Sequence, residues 1–173
     1  MRKLLLLVLT VSTISLPGLT DANACGDKLL RIGRNFRFHT TYAKKRPARM
    51  LIYTPPNSTT LPGAKAAQIQ DYFQKVGHKP LAVENIDKLK EALKSGDYDL
   101  VLTDFADAAT LQRQVEGSPS HTVVLPVLYK RSKGEEAAAA KQYPFMVKNP
   151  KDATDFLQAI YNVMKSRATE RKA

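Results

Sequence analysis

Short apolar runs alternate with helical segments along most of the chain. The apolar runs have the length of strands buried on both faces, and they span residues 50–53, 81–83, 98–103, 123–128 and 145–147. Elsewhere apolar residues recur every three or four positions, as on one face of a helix. They do so at Ala66, Ile69, Phe73 and Val76, at Ile86, Leu89 and Leu93, at Ala108, Leu111 and Val115, and at Phe156, Ile160, Val163 and Met164.

This alternation predicts an α/β fold. A short Ala-rich segment, 134–142, adds a further helix, and Gly77, Gly96 and Gly117 each follow a helical segment. Strands that alternate with helices form parallel sheets through right-handed crossovers. We therefore expect a three-layer α/β/α sandwich over residues 49–166, with a five-stranded parallel sheet in the flavodoxin-like order 2-1-3-4-5.

The first 24 residues have the pattern of a secretory signal peptide. Arg2 and Lys3 precede an apolar run over 4–16, and Ala22-Asn23-Ala24 supplies the small residues of a cleavage site. The run is shorter than the ~20 residues of a membrane-spanning helix. We expect an exported protein, periplasmic or secreted, and the alternative is an uncleaved N-terminal anchor.

Cys25 would be the first residue after cleavage. Its position resembles the lipid-attachment site of bacterial lipoproteins, although Ala22 and Asn23 replace the usual Leu and small residue before the Cys. Lipidation would anchor the protein to a membrane, and the alternative is an unmodified thiol. The absence of a second cysteine excludes an intramolecular disulfide.

A content of 43 % hydrophobic and 25 % charged residues argues against a disordered chain.

The net charge of +11 is confined to the two ends of the chain. Residues 25–49 carry a net +7, residues 50–164 are neutral, with 13 basic and 13 acidic side chains, and residues 165–173 carry +3. These counts define a basic N-terminal arm over 25–48 and a basic tail over 167–173. The basic residues of the arm and of the position that follows it are Lys28, Arg31, Arg34, Arg37, Lys44, Lys45, Arg46 and Arg49.

A basic arm can bind anionic lipid headgroups, acidic glycans or an acidic protein face. We expect no nucleic-acid partner, because nucleic acid is scarce outside the cytoplasm. The alternative is a solvated, solubilising segment. Apolar residues interleave with the charges, and Phe36-Arg37-Phe38 alternates with period two. Part of the arm is therefore expected either to pair as an extra strand or to pack on the domain.

Two segments resemble the receiver domain of bacterial response regulators. Asp99-Leu100-Val101-Leu102-Thr103-Asp104 is similar to the third receiver strand, which ends in the phospho-accepting Asp. Tyr143-Pro144-Phe145-Met146-Val147-Lys148-Asn149-Pro150 is similar to the fifth strand, which carries a Lys, with one residue inserted before the Pro. The resemblance implies a receiver-like fold and assigns the acceptor position to Asp104 and the Lys position to Lys148.

The chain departs from receivers at the positions that hold Mg²⁺. The loop after the first strand reads Thr54-Pro55-Pro56-Asn57, without the acidic pair of receivers, and the fourth strand has no hydroxyl side chain around Pro126 or Val127. Mg²⁺ requires several hard oxygen ligands, and phosphoryl transfer depends on that cation. We therefore expect a degenerate receiver-like domain without a metal, a cofactor or aspartyl phosphorylation.

The carboxyl edge of the sheet is the candidate crevice. Asp104 has two interpretations, a helix N-cap and a ligand-binding group, and Lys148 is expected to pair with it. The loop residues Thr54, Asn57, Ser58, Thr59 and Thr60 could bind an anion at the following helix N-terminus, or form an ordinary polar loop.

Nothing in the sequence predicts a catalytic centre. His39, His78 and His121 are scattered, and no nucleophile elbow, P-loop or dinucleotide motif is present. The leading hypothesis is an exported, non-enzymatic interaction module with an unidentified protein partner, helped by the basic arm on an anionic membrane surface. One alternative is small-molecule or anion binding at the carboxyl edge, and another is an active phosphoacceptor.

Overall fold

The computed structural model describes residues 37–58, 63–117, 119, 121–129 and 132–170. Residues 35–173 form one compact unit, to which the following description applies. The predictions made for the signal peptide (1–24), for Cys25, and for Lys28, Arg31 and Arg34 lie outside the described residues.

Five parallel strands form one sheet in the order β2-β1-β3-β4-β5. The predicted flavodoxin-like topology is therefore confirmed. Neighbouring strands are in register, with Leu51 beside both Leu81 and Val101, and Asp104 beside Val127. The strands are β1 (Arg49–Tyr53), β2 (Lys79–Val83), β3 (Leu100–Asp104), β4 (Val123–Leu128) and β5 (Val147–Lys148).

Helices cover both faces of this sheet. Alternate strand residues point to opposite faces, so Met50 and Ile52 pack with α2 and α6, whereas Leu51 and Val101 pack with α3 and α4. No helix in these described segments combines the length and hydropathy needed to cross a membrane. The helices are α1 (residues 37–45), α2 (Gly63–Val76), α3 (Ile86–Ser95), α4 (Phe105–Val115), α5 (Lys133–Gln142) and α6 (Ala153–Glu170).

The fifth strand lies later in the chain than predicted. The apolar run predicted a strand over 145–147, but β5 is Val147–Lys148. The Val123 N–H donates to Asp99 O on the β3 side, so alternate residues of β4, including Pro126, face β5. Proline has no N–H, so Pro126 cannot donate a hydrogen bond to β5. The β4–β5 pairing therefore starts at the next residue of β4, Val127, which lies beside Val147.

The end of the predicted basic arm is a helix rather than a strand. Residues 37–45 form α1, whose inner face buries His39 and Ala43, and the helix ends shortly before Pro47. The segment Phe36-Arg37-Phe38 was expected either to pair as an extra strand or to pack on the domain. Arg37 and Phe38 belong to α1, which packs on the domain. Phe36 lies outside the described residues.

The last helix extends into the predicted basic tail. α6 continues to Glu170, and Arg167 is buried, with 7 % of its surface exposed. The predicted boundary at residue 166 falls inside α6, and Arg167, just beyond it, is ion-paired with Asp99.

Candidate functional site at the carboxyl edge

The parallel sheet places most of the predicted site residues at one edge. Thr54 follows β1, Asp104 ends β3 and Lys148 ends β5. Because all strands run in the same direction, these carboxyl ends share one side of the sheet. Asn57 and Ser58 belong to the loop that leaves this edge, while Thr59 and Thr60 lie outside the described residues.

Asp104 is the last residue of β3 and the N-cap of α4. Its backbone is extended (φ −62°, ψ 145°), and its Oδ1 accepts a hydrogen bond from the Ala106 N–H at 3.2 Å. The carboxylate thereby satisfies one of the unpaired donors at the start of the helix and counters the positive end of its dipole. Asp104 thus occupies the capping role, the simpler of its two interpretations.

Asp107 and Tyr129 lie near Asp104, and Tyr53 lies near Asp107. Burial raises the pKa of Asp107, and the neighbouring Asp104 charge raises it further. Burial and the charge of Asp107 raise the pKa of Tyr53, while burial and the charge of Asp104 raise that of Tyr129. Tyr53 and Tyr129 were not predicted as site residues, and their sequence signal is their position at the end of β1 and directly after β4.

This set of groups does not suit a receiver-type Mg²⁺ site. Asp104 and Asp107 supply carboxylates, but Asp104 already caps α4, and the end of β1 contributes Tyr53 and Thr54 rather than acids. The described segments contain no group of three or more His, Cys, Asp or Glu side chains arranged to hold a metal ion. Two carboxylates leave most of an octahedral shell without protein oxygens, so the residues present do not fit the cation.

The expected pairing of Lys148 with Asp104 is absent. Lys148 is exposed, and no ion pair within 4.0 Å joins these two described residues. Val147 packs on the α2 and α6 face of the sheet, so alternation directs Lys148 to the other face. Leu102 also packs on the α2 and α6 face, which puts Asp104 on the side away from Lys148.

The loop after β1 has its own backbone contacts. Thr54 is buried, and its N–H donates to Val83 O at 2.9 Å, which extends the pairing with β2. The Ser58 N–H donates to Pro55 O at 2.9 Å and closes a turn around the exposed Asn57. These contacts are those of an ordered polar loop, and they leave the hypothesis of anion binding untested.

The basic residues of the arm separate into two groups. Arg37, Lys44, Lys45 and Arg46 are exposed on α1 or directly after it. Arg49 instead starts β1, where its N–H donates to Asp99 Oδ2 at 2.9 Å and its guanidinium lies 5.5 Å from the centre of the Tyr98 ring. Arg49 therefore belongs to the amino edge of the sheet.

The amino edge contains a buried ion pair that the sequence did not predict. Arg167 Nε lies 3.4 Å from Asp99 Oδ1, and Arg167 Nη1 donates to the His121 carbonyl. A cavity of about 440 Å³ adjoins this pair, lined by Asp97 and Glu170 among others. The pairing joins residues 68 positions apart, so no local sequence pattern reports it.

No protein-family model matches the chain, and no curated protein gives a significant match in sequence. Among solved structures, the fold is similar to a crystal structure of a response regulator receiver modulated diguanylate cyclase from Pelobacter carbinolicus. The TM-score is 0.56 at 10 % sequence identity, over 73 % of this chain and 99 % of that chain. Together with the strand order, this similarity shows that the chain has a receiver-like fold.

Proposed function

We propose that this chain is an exported, non-enzymatic interaction module that contacts an anionic membrane surface through α1. The export rests on the signal-peptide pattern of residues 1–24. The membrane contact rests on one observation: α1 is fixed to the receiver-like body with its basic side chains and Phe38 exposed.

Aromatic contacts fix α1 to α6. The Tyr161 ring centre lies 5.3 Å from those of Phe38 and His39 and 4.8 Å from that of Tyr42. His39 Nε2 is 2.9 Å from Gln158 Oε1, and burial lowers the pKa of His39. Burial favours the neutral imidazole although the bond with Gln158 acts in the opposite direction, and the ring contacts hold the helix against α6.

The outward face of α1 has the chemistry of an interfacial helix. Arg37, Lys44 and Lys45 are exposed there, and Arg46 is exposed directly after the helix. Phe38 is 52 % exposed, and in the described part of the chain Leu81 is the other large hydrophobic residue on the surface. Basic side chains with an exposed aromatic ring favour the boundary between headgroups and acyl chains. Each basic residue close to an anionic surface contributes about 1 kcal/mol.

The charge distribution supports α1 as the contact surface. Residues 50–164 are neutral, so the excess positive charge near the fold belongs to α1, its flanking residues and the end of α6. An anionic surface would therefore orient the domain with α1 towards the lipid.

The carboxyl edge supports a role without phosphoryl transfer. Asp104 caps α4, and the donor set beside it does not fit Mg²⁺. We expect no mass adduct after incubation with acetyl phosphate and Mg²⁺. An intact-mass increase that maps to Asp104 and disappears in Asp104→Asn would overturn this part of the proposal.

Co-sedimentation with lipid vesicles tests the membrane contact. A chain that starts at residue 25, with Cys25→Ser, is expected to bind vesicles containing phosphatidylglycerol but not phosphatidylcholine alone, with binding that falls as salt increases. Lys45→Glu with Arg46→Glu should abolish it. The matched pair Lys90→Glu with Lys94→Glu, at exposed positions of α3, should retain more of it.

The aromatic contribution has its own matched pair. Phe38→Ser should weaken binding to the anionic vesicles, whereas Leu81→Ser, which alters the other exposed hydrophobic side chain, should not. Equal losses of vesicle binding in the α1 and α3 charge variants would contradict a lipid partner. Binding to an acidic protein without binding to either kind of vesicle would contradict it as well.

A further inference from the structure

A cavity of about 360 Å³ lies between α2, the residue after β4 and the start of α6. It is on the carboxyl side of the sheet but does not include Asp104, Lys148 or the described residues of the loop after β1. Tyr72, Tyr129 and Phe156 supply aromatic walls, and Pro150 closes one side. The volume is within the range of small-molecule sites.

The two phenols in the wall are held in their neutral form. Burial raises the pKa of Tyr72, with a further increase from Asp152, while a hydrogen bond with Thr154 opposes it. Burial is also the largest cause of the raised pKa of Tyr129. The rings therefore present uncharged aromatic surface to the cavity, and such surface favours stacked or edge-on contact with another ring.

One cation lies at the rim of this apolar space. Lys151 lines the cavity, its side chain is exposed, and in the described parts of the chain its ammonium makes no ion pair. The neighbouring carboxylates are engaged with backbone N–H groups. Asp152 also lines the cavity, and its Oδ1 accepts from the Thr154 N–H, while Asp155 Oδ2 accepts from the Lys151 N–H, both at 2.8 Å.

We propose that this cavity binds a small aromatic carboxylate. The flat ring would lie against Tyr72 and Phe156, and the carboxylate would reach the Lys151 ammonium, because aromatic walls select a planar apolar body and an unpaired cation selects an anionic group. This inference is independent of the membrane contact, since α1 contributes no residue to the cavity.

Isothermal titration calorimetry on the protein tests the ligand class with three probes of similar size. Phenylacetate has the ring and the charge, cyclohexylacetate has the charge without the flat ring, and 2-phenylethanol has the ring without the charge. We expect phenylacetate to bind at least about tenfold more tightly than either of the others, a difference of about 1.4 kcal/mol. No binding of phenylacetate, or equal binding of all three probes, would overturn the proposal.

Two substitutions locate the binding. Lys151→Gln, at an exposed position, should weaken phenylacetate binding about tenfold and leave 2-phenylethanol unchanged. Ala153→Leu should fill the cavity and abolish binding of phenylacetate. The matched control is Ala138→Leu on α5, which lines a different cavity and should bind as the unaltered protein does. Retained binding in folded Ala153→Leu protein, or an unchanged affinity in Lys151→Gln, would assign the ligand to another place.

Discussion

Arg167 on the last helix is paired with Asp99, the residue before β3. The guanidinium Nε lies 3.4 Å from Asp99 Oδ1, and both side chains are largely buried, at 8 % and 14 % exposed. Asp99 Oδ2 also accepts the Arg49 N–H at 2.9 Å. One carboxylate therefore connects the beginning of β1 with the end of α6, which makes residue 167 part of the folded domain.

Arg167→Ala should destabilise the domain by about 3 kcal/mol, because removing one member of a buried pair leaves the other charge uncompensated. Urea unfolding measures the change in the free energy of unfolding. Arg113→Ala on α4 removes an exposed arginine and should cost less than about 0.5 kcal/mol. Similar losses in the two variants would show that the pair contributes little.

His78 should make the stability depend on pH. Burial lowers its pKa from 6.5 to about 4, although the charge of Asp99 acts in the opposite direction. Its Nδ1 accepts the Ala48 N–H at 3.1 Å, which requires an unprotonated nitrogen. Because the unfolded chain binds this proton more readily, stability is fully present above pH 6.5 and falls as the pH drops towards 4. The fall should reach about 3 kcal/mol.

His78→Asn tests this linkage, since the amide keeps an acceptor near the Nδ1 position but does not titrate. Its free energy of unfolding should change less than that of the unaltered protein between pH 6.5 and 4. The control is His121→Asn, because His121 is exposed and its φ of 49° is one that asparagine tolerates. If the free energy of unfolding falls by the same amount in the unaltered protein and in His78→Asn, the pH dependence has another source than His78.

Asp104 should have two separable effects: its side-chain oxygen caps α4, and its charge raises the pKa of Asp107. Asp104→Ala should cost about 1 kcal/mol, whereas Asp104→Asn keeps a capping oxygen and should cost less. Both substitutions should lower the pKa of Asp107, because the charge of Asp104 raises it. Urea unfolding and an NMR titration of Asp107 measure the two effects. The control Asn85→Ala removes the cap of α3 and should leave the Asp107 pKa unchanged. An unchanged Asp107 pKa in both Asp104 variants would contradict the interaction between the two carboxylates.

Gly77 should allow the close approach between the end of α2 and α1. Its φ is +107°, and a Cβ added there would lie 3.3 Å from the Lys44 Cα. Gly77→Ala should therefore destabilise the protein by about 1–3 kcal/mol through backbone strain and crowding. Gly117→Ala is the matched control, because a Cβ at that position meets no atom within 4 Å. Thermal unfolding measures the difference between the two variants. Equal melting temperatures would show that neither the backbone strain nor the crowding against Lys44 destabilises the protein.

Local patterns predicted the alternation of strands and helices and the parallel pairing of the strands. The apolar runs at 50–53 and 123–128 marked strands buried on both faces, and the helical spacing between them implied crossovers and hence parallel pairing. The 2-1-3-4-5 order came with the flavodoxin-like class and the resemblance to receivers, because right-handed crossovers with helices on both faces also allow the order 3-2-1-4-5. The start of β5 differs from the apolar run at 145–147 because its cause, the missing N–H of Pro126, acts through a neighbouring strand.

The candidate site was predicted less completely. Strand ends are visible in sequence, and in the structure Thr54, Asp104 and Lys148 lie at one edge. The face on which each side chain lies depends on register, and register placed Lys148 away from Asp104. The cavity between Tyr72 and Phe156 has no local signature, because its walls come from two helices and the end of a strand.

Sequence alone determined the alternation of strands and helices, the neutral body and the basic end at α1, because periodicity and charge are properties of neighbouring positions. Tertiary structure alone decided that residues 37–45 pack as a helix on Tyr161, that Arg167 meets Asp99 and that Asp104 stands apart from Lys148. Each of these depends on distances between segments far apart in the chain, and those distances are set by packing of the whole domain.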